Sequence, residues 1–221
     1  MDYKLVRSKR KTLSVCITGG EVIVKAPLEM SKEHIEDFLA QKSGWVTKKL
    51  ADSARRADLF SSVIDGKQIM YHGAFYNVVI KPDVKRVKFD GSALFLPEKC
   101  LDKTAFNRAV AQWYKRVAQT ELKLLLDECS ARIGLRYGEF SLTNAKTKWG
   151  SCDGKCNIML NWRILMFDSE LLEYVLVHEL SHTVHHNHSA AFWREVGKHM
   201  PRFKSARKRL KTFSGMTSLY R

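Results

Sequence analysis

The chain has 221 residues, of which 45% are hydrophobic and 28% charged, enough for one sizeable domain or two small ones and unlike a disordered protein. No run approaches the roughly 18 apolar residues of a membrane span, and the basic stretch Met1 to Lys11 has no apolar run behind it, which argues against a secretory signal and a membrane partner. Lys and Arg number 38 against 23 acidic residues, a formal net charge of +15, so polyanions such as nucleic acid or nucleotides are favoured partners, although a solvated Lys/Arg surface gives the same count.

In chain order, Leu13, Val15 and Ile17 alternate with polar positions, Gly19-Gly20 reads as a hairpin turn, and Val22 to Ala26 returns as a strand stopped by Pro27. Ser31 is placed as an N-cap with Glu33 in the first turn. Ile35, Phe38, Leu39, Trp45, Val46 and Leu50 then recur at helical spacing, predicting one amphipathic helix to about Ala57. Strands are expected at 68–71, 75–80, 84–89 and 93–96, with Asp90-Gly91 turning between the last two. From about Asp102 the texture changes. Ala105, Val110, Trp113, Val117, Leu122, Leu125 and Leu126 mark a long helix ending near Gly134. A short β segment over 140–165 is interrupted by a turn at Gly150-Ser151-Cys152-Asp153-Gly154. Asp168 or Ser169 caps a second helix through Leu171, Leu172, Val175, Leu176 and Leu180, and a third begins near Ser189 with Phe192, Trp193 and Val196. The reading is α+β: a β-rich N-terminal module with one helix over 1–99, then a helical module with a short hairpin or sheet over 100–221.

Five scattered cysteines, Cys16, Cys100, Cys129, Cys152 and Cys156, make no disulfide framework and suit a reducing cytoplasm. Cys152 and Cys156 have knuckle-like spacing, but no second pair follows at zinc-ribbon distance.

The chemistry concentrates at His178-Glu179-Leu180-Ser181-His182. Residues four apart project from one helix face, so His178 and His182 can converge on one zinc ion while Glu179 activates its water; an ordinary amphipathic helix with two satisfied core histidines shows the same five letters. A third ligand is sought among His185, His186 and His188. On a continued helix His185 would lie about 10 Å from His178 along the axis, too far when zinc–nitrogen bonds are about 2.0–2.1 Å. The third ligand therefore comes from chain that has left the helix. Asn187 is a plausible left-handed stop and Ser189 an N-cap, which puts His188 at the bend. His188 is favoured, with Glu195 on the next helix as the alternative.

Beyond that core, Lys148-Trp149-Gly150-Ser151-Cys152, Asn157 to Arg163, Val177 to His182, Asn187-His188-Ser189 and Phe192-Trp193, together with Arg7 to Ser14 and Ala26-Pro27, resemble the YgjP-like metallopeptidase family, zinc hydrolases with a minimal zincin core. The resemblance implies His178, His182 and His188 as ligands of one zinc per chain, Glu179 as general base, and a zincin-like fold for the C-terminal module. Cys156 departs from the pattern, which leads one to expect a small residue such as Gly there. The ligand spacing is also similar to that of SprT-like proteases, which cut proteins attached to DNA; that likeness is limited to the site and is an analogy. In zincin-like folds the strand before the zinc helix, here Asn157 to Trp162, forms an edge that a peptide joins. Asn161 and Arg163 are candidates for steadying a developing oxyanion, whereas Ile158, Leu160, Trp149, Trp162 and Trp193 read as core.

These observations lead to a zinc metallohydrolase, foremost a metallopeptidase on protein or peptide substrates, with action near DNA as an extension. The alternatives are a nucleoside triphosphate pyrophosphohydrolase with the same metal, and a nucleic-acid-binding module with a structural zinc. Glu179 weighs against the last, since a structural site needs no free carboxylate beside its metal. The basic segment Lys198 to Lys211 suits either phosphates or solvent.

Overall fold

The computed structural model describes all 221 residues as two compact units, Met1–Ser61 and Ser62–Arg221. In the first, strands β1 (Lys4–Ser8), β2 (Ser14–Thr18) and β3 (Glu21–Pro27) form a sheet in the order β1-β3-β2, β1 parallel and β2 antiparallel to β3. Gly19 and Gly20 turn the hairpin with φ of 60° and 82°, a twist that glycine adopts without a Cβ clash. Val22, Val24 and Ala26 of β3 pack on Ile35 and Leu39 of α1 (Lys32–Gln41) and on Val46 of α2 (Ser43–Leu59). Ser31 caps α1 by accepting from His34 N at 3.2 Å. The single helix expected here is two, broken at Lys42 (φ −97°, ψ 5°), and β1 has no counterpart among the expected strands.

The short helix α3 (Ser61–Ile64) begins at the last residue of the first unit, and the second unit contains a four-stranded sheet of β4 (Gln68–Tyr71), β5 (Ala74–Lys81), β6 (Lys88–Phe89) and β7 (Ala93–Pro97), in the order β4-β5-β7-β6. The expected strand over 84–89 is reduced to Lys88–Phe89. The long α4 (Lys103–Ile133) starts at Asp102, whose carboxylate accepts from Ala105 N, and ends at Gly134 in a left-handed turn (φ 73°), close to the predicted limits. Hydrogen bonds tie the β4–β5 turn to residues far along the chain: His72 N to Leu165 O at 2.8 Å, Gly73 N to Met166 O at 3.1 Å and Tyr71 Oη to Glu121 at 2.7 Å. These bonds help to hold the strands over 68–97 in the second compact unit.

A third sheet precedes the histidines: β8 (Phe140–Thr143), β9 (Gly150–Cys152) and β10 (Ile158–Asn161), in the order β8-β10-β9, with β10 parallel to β8 and antiparallel to β9. Gly150 to Cys152, expected as a turn, is therefore a strand, and the turn lies at Asp153 to Asn157, where Asp153 accepts from the main-chain N–H of Lys155 and Asn157. Cys156 has φ 62°, a conformation glycine adopts more readily, so the departure from the family pattern falls on a left-handed position. A 3₁₀ turn, Trp162–Met166, leads into α5 (Ser169–Ser181), followed by α6 (Ala190–His199) and α7 (Phe203–Leu210). The fold is α+β, and no helix is long and apolar enough to cross a membrane.

Candidate metal centre

Helix α5 begins where the Asp168 carboxylate accepts from Leu171 N at 3.0 Å. It is held by the buried side chains Leu171, Leu172, Val175, Leu176 and Leu180, so that His178 and Glu179 are fixed on a packed element. The helix closes at His182, whose N–H turns back to Glu179 O and Leu180 O. The chain then bends through 183–187. Asn187 is not left-handed, since the positive-φ residues other than glycine are His72, Cys156 and Tyr220; its side chain instead accepts from Ser189 N at 3.1 Å. Ser189 in turn caps α6 by accepting from Phe192 N. His188 is thus pinned between two local caps and folds back onto α5.

The result is a convergence of three imidazoles. One nitrogen each from His178, His182 and His188 lies within 4.8 Å of the others, and the Nε2 atoms of His178 and His188 are 3.1 Å apart. A tetrahedral ion with bonds of about 2.0–2.1 Å holds its donors roughly 3.3 Å apart, close to that separation. His182 Nδ1 is 2.9 Å from the main-chain oxygen of His185, which makes Nδ1 the protonated nitrogen and leaves a lone pair on Nε2. Burial, reinforced by His182 and His188, pushes the His178 pKa down to about 3, and burial also lowers that of His182. Neutral imidazoles are the form in which histidine binds metal. His178 Nδ1 is buried with no partner. The donor set suits a metal ion with an open position, and His185, His186 and Glu195 are not part of it: Glu195 is engaged by His199 at 2.8 Å and Lys198 at 3.6 Å.

These groups line a cavity of about 370 Å³ together with Lys148 to Cys152, Tyr174, Val175, Glu179 and His186. Glu179 is only 6% exposed, and burial raises its carboxyl to about 8, countered by the charge of Lys148. A Cβ on Gly150 would come within 2.6 Å of Glu179 Oε1, so strand β9 can pass this close to the carboxylate only with glycine there. Tyr174, one turn before His178 on α5, keeps its phenol protonated, with a pKa raised to about 12 by burial. Trp193 stacks on His188 with centroids 5.6 Å apart and is covered by the Arg207 guanidinium at 4.3 Å.

Asn161 and Arg163 do not reach this cavity. Both are fully buried: Asn161 donates to Ala145 O and Lys148 O, and Arg163 donates to Leu219 O and Asn144 Oδ1. They brace the loop ahead of β9 and the C-terminal segment, which removes them as oxyanion candidates. The expected peptide-pairing strand is also displaced. Strand β10 is paired on both sides, whereas β9 is the sheet edge that lines the cavity. Lys148 enters the sequence reading only within the family motif, and Tyr174 is missed although its spacing, four residues before His178, puts it one helical turn away.

A family model described as YgjP-like, metallopeptidase domain, matches residues 11–213. Among solved structures, the metallopeptidase zymogen abylysin of Pyrococcus abyssi is 29% identical, with 41% of this chain and 91% of that one covered and a TM-score of 0.38. The metallopeptidase zymogen jannalysin of Methanocaldococcus jannaschii is 22% identical, with 40% and 91% covered and a TM-score of 0.36. No curated protein matches.

Proposed function

The chain belongs to the YgjP-like metallopeptidase family, and we propose that it is a zinc peptidase in which His178, His182 and His188 hold one zinc per chain and Glu179 is the general base. The observation that carries this reading is the convergence of three imidazoles in one cavity with a buried carboxylate. Zinc, when bound, supplies Lewis acidity that polarises a carbonyl and acidifies water. The chain's own residues do the rest. Glu179 takes a proton from water and returns it to the leaving amine, and the charge of Lys148 favours the ionised form that this requires. The carbonyl of His185 keeps His182 in the tautomer whose Nε2 faces the cavity. The free edge of β9 offers main-chain donors and acceptors to an extended peptide laid across the histidines. Tyr174 and Val175 line the cavity beside His178.

The test is a comparison of zinc-loaded protein on an unfolded protein and on nucleoside triphosphates, with and without DNA, alongside Glu179→Gln. The expected result is one zinc per chain, proteolysis, retention of zinc in Glu179→Gln, and a loss of about a hundredfold or more in rate. Hydrolysis of triphosphates alone would replace the peptide bond by a phosphoanhydride. A rate near wild type in Glu179→Gln would end the base assignment. Stimulation by DNA would extend the substrate to proteins held near nucleic acid, and its absence would confine it to free protein.

A further inference from the structure

A second cavity, of about 470 Å³, opens between α4 and the edge strand β8, and the proposed peptidase chemistry makes no use of it. Lys115, Arg116 and Gln119 of α4 line it with Thr143, Asn144 and Trp162. Its walls carry charge of one sign. Lys115 and Arg116 enter no ion pair, and no carboxylate is among the lining residues. Behind Asn144 and Trp162 sits Arg163, fully buried. Its guanidinium donates only to neutral oxygens: Leu219 O from Nε at 2.8 Å, Asn144 Oδ1 at 2.8 Å and Asn161 Oδ1 at 3.4 Å. Arg221 adds a further cation, donating to Asn144 O at 2.7 Å. Burial, and then Arg221, lower the Arg163 pKa to about 10. A buried cation without an anionic partner is costly, and its field is poorly screened.

An independent observation points the same way. Trp162 is 1% exposed, and its indole Nε1–H is buried with no acceptor. The Arg163 guanidinium covers the ring face at 3.8 Å, which fixes the indole but leaves the N–H unsatisfied. Buried donors are nearly always paired, so an orphan calls for an explanation, and a bound acceptor is one. The cavity therefore offers cations and an amide-bearing rim and lacks an anion, and Trp162, which carries the orphan donor, is one of its walls. Two or more nearby cations match the charge of a phosphate better than that of a single carboxylate, and Arg and Lys with neutral donors are its usual partners.

We propose that this cavity binds a phosphate group, with Lys115 and Arg116 supplying charge and the Trp162 indole donating to a phosphate oxygen. The group can come as free phosphate or as a phosphodiester of single-stranded nucleic acid. The test follows the indole N–H resonances of the five tryptophans in the full ¹⁵N-labelled chain. Trp162 is assigned through Trp162→Phe, which keeps an aromatic ring for Arg163 and removes the N–H. The chain is titrated with inorganic phosphate, with a single-stranded oligonucleotide, and with acetate and chloride at matched ionic strength. The expected result is a saturable downfield shift of the Trp162 resonance with phosphate or oligonucleotide only. A joint Lys115→Ala, Arg116→Ala variant should weaken that binding about tenfold or more. Saturation at much lower oligonucleotide than phosphate concentration would identify the nucleic-acid backbone, and the reverse would identify free phosphate. An unmoved Trp162 resonance, an equal response to acetate, or unchanged affinity in the joint variant would overturn the proposal. Both substituted side chains of that variant are exposed, so it tests the site even if Trp162→Phe fails to fold.

Discussion

Burial moves the two central titratable groups of the histidine cavity in opposite directions, and metal-free protein should register both. The Glu179 carboxyl is raised from 4.5 to about 8, so the folded state holds its proton more tightly. Its stabilisation is complete below about 4.5 and is lost as pH rises through 8. His178 is lowered from 6.5 to about 3, so its contribution is present above 6.5 and is lost as pH falls towards 3. Between 4.5 and 6.5 the slopes oppose, and above 6.5 that of Glu179 stands alone. The unfolding free energy of chelator-treated protein should fall between pH 6.5 and 8, by no more than about 1.4 kcal/mol per pH unit, and its melting temperature should fall with it. Glu179→Gln should flatten that limb; an equal fall in the variant would assign it to another group. The third histidine can be tested at the same scale. His185 contributes only its main-chain oxygen, which alanine retains, so in metal-competition titrations His188→Ala should cost more affinity than His185→Ala or His186→Ala. The loss should exceed the about 10–100-fold typical of an outer partner. His178, His182 and His188 are legible in the sequence because their convergence is local, one helical turn and one bend. Asn161 and Arg163 mislead because a sequence shows that a residue is polar, not that it is buried among carbonyls.

At the scale of elements, the segment before the histidine-bearing helix is the hardest to read, for a steric reason. Gly150 reads as a turn residue, yet its φ is not positive, and what requires glycine is the carboxylate of Glu179 packed against β9. Gly150→Ala would place a Cβ 2.6 Å from Oε1 and 2.7 Å from Cγ, contacts that force the strand or the carboxylate aside. The expected outcome is a destabilisation of about 1–3 kcal/mol, with hydrolysis reduced more than zinc content, since the histidines lie on other elements. Thermal melts with metal analysis would check it, and loss of zinc in step with activity would mean that β9 also positions the ligands. Elsewhere legibility tracks the length and strength of the pattern. The 31-residue α4 is bounded by Asp102 and Gly134, signals that act within one turn of the helix. Strand β1 escapes a sequence reading because all five of its residues are exposed, leaving no alternation to detect. The α1–α2 break escapes because apolar spacing continues on both sides of Lys42.

At the scale of the whole molecule, the charge of +15 is a count, and the structure shows which charges remain available. On the basic helix α7, Arg209 pairs with Asp168 and Glu170, and Arg207 lies over Trp193. Lys204 and Lys208 are exposed and enter no ion pair, as is Lys211 just beyond the helix. Fewer cations of this segment are therefore free of partners than its sequence suggests. Binding to nucleic acid should be independent of sequence, because no base-reading element is present in this helix, and should weaken steeply with salt through counterion release. For a single-stranded oligonucleotide the slope of log K against log salt falls by about 0.7 for each phosphate contact removed. A Lys204→Ala, Lys208→Ala, Lys211→Ala variant should thus lower the slope by up to about 2, while leaving the ion pairs of Arg209 and the metal content untouched. Fluorescence anisotropy over a salt series would measure it. An unchanged slope would locate the contacts on another face, and no binding at low salt would reduce the charge to a solvated surface and remove nucleic acid as a partner.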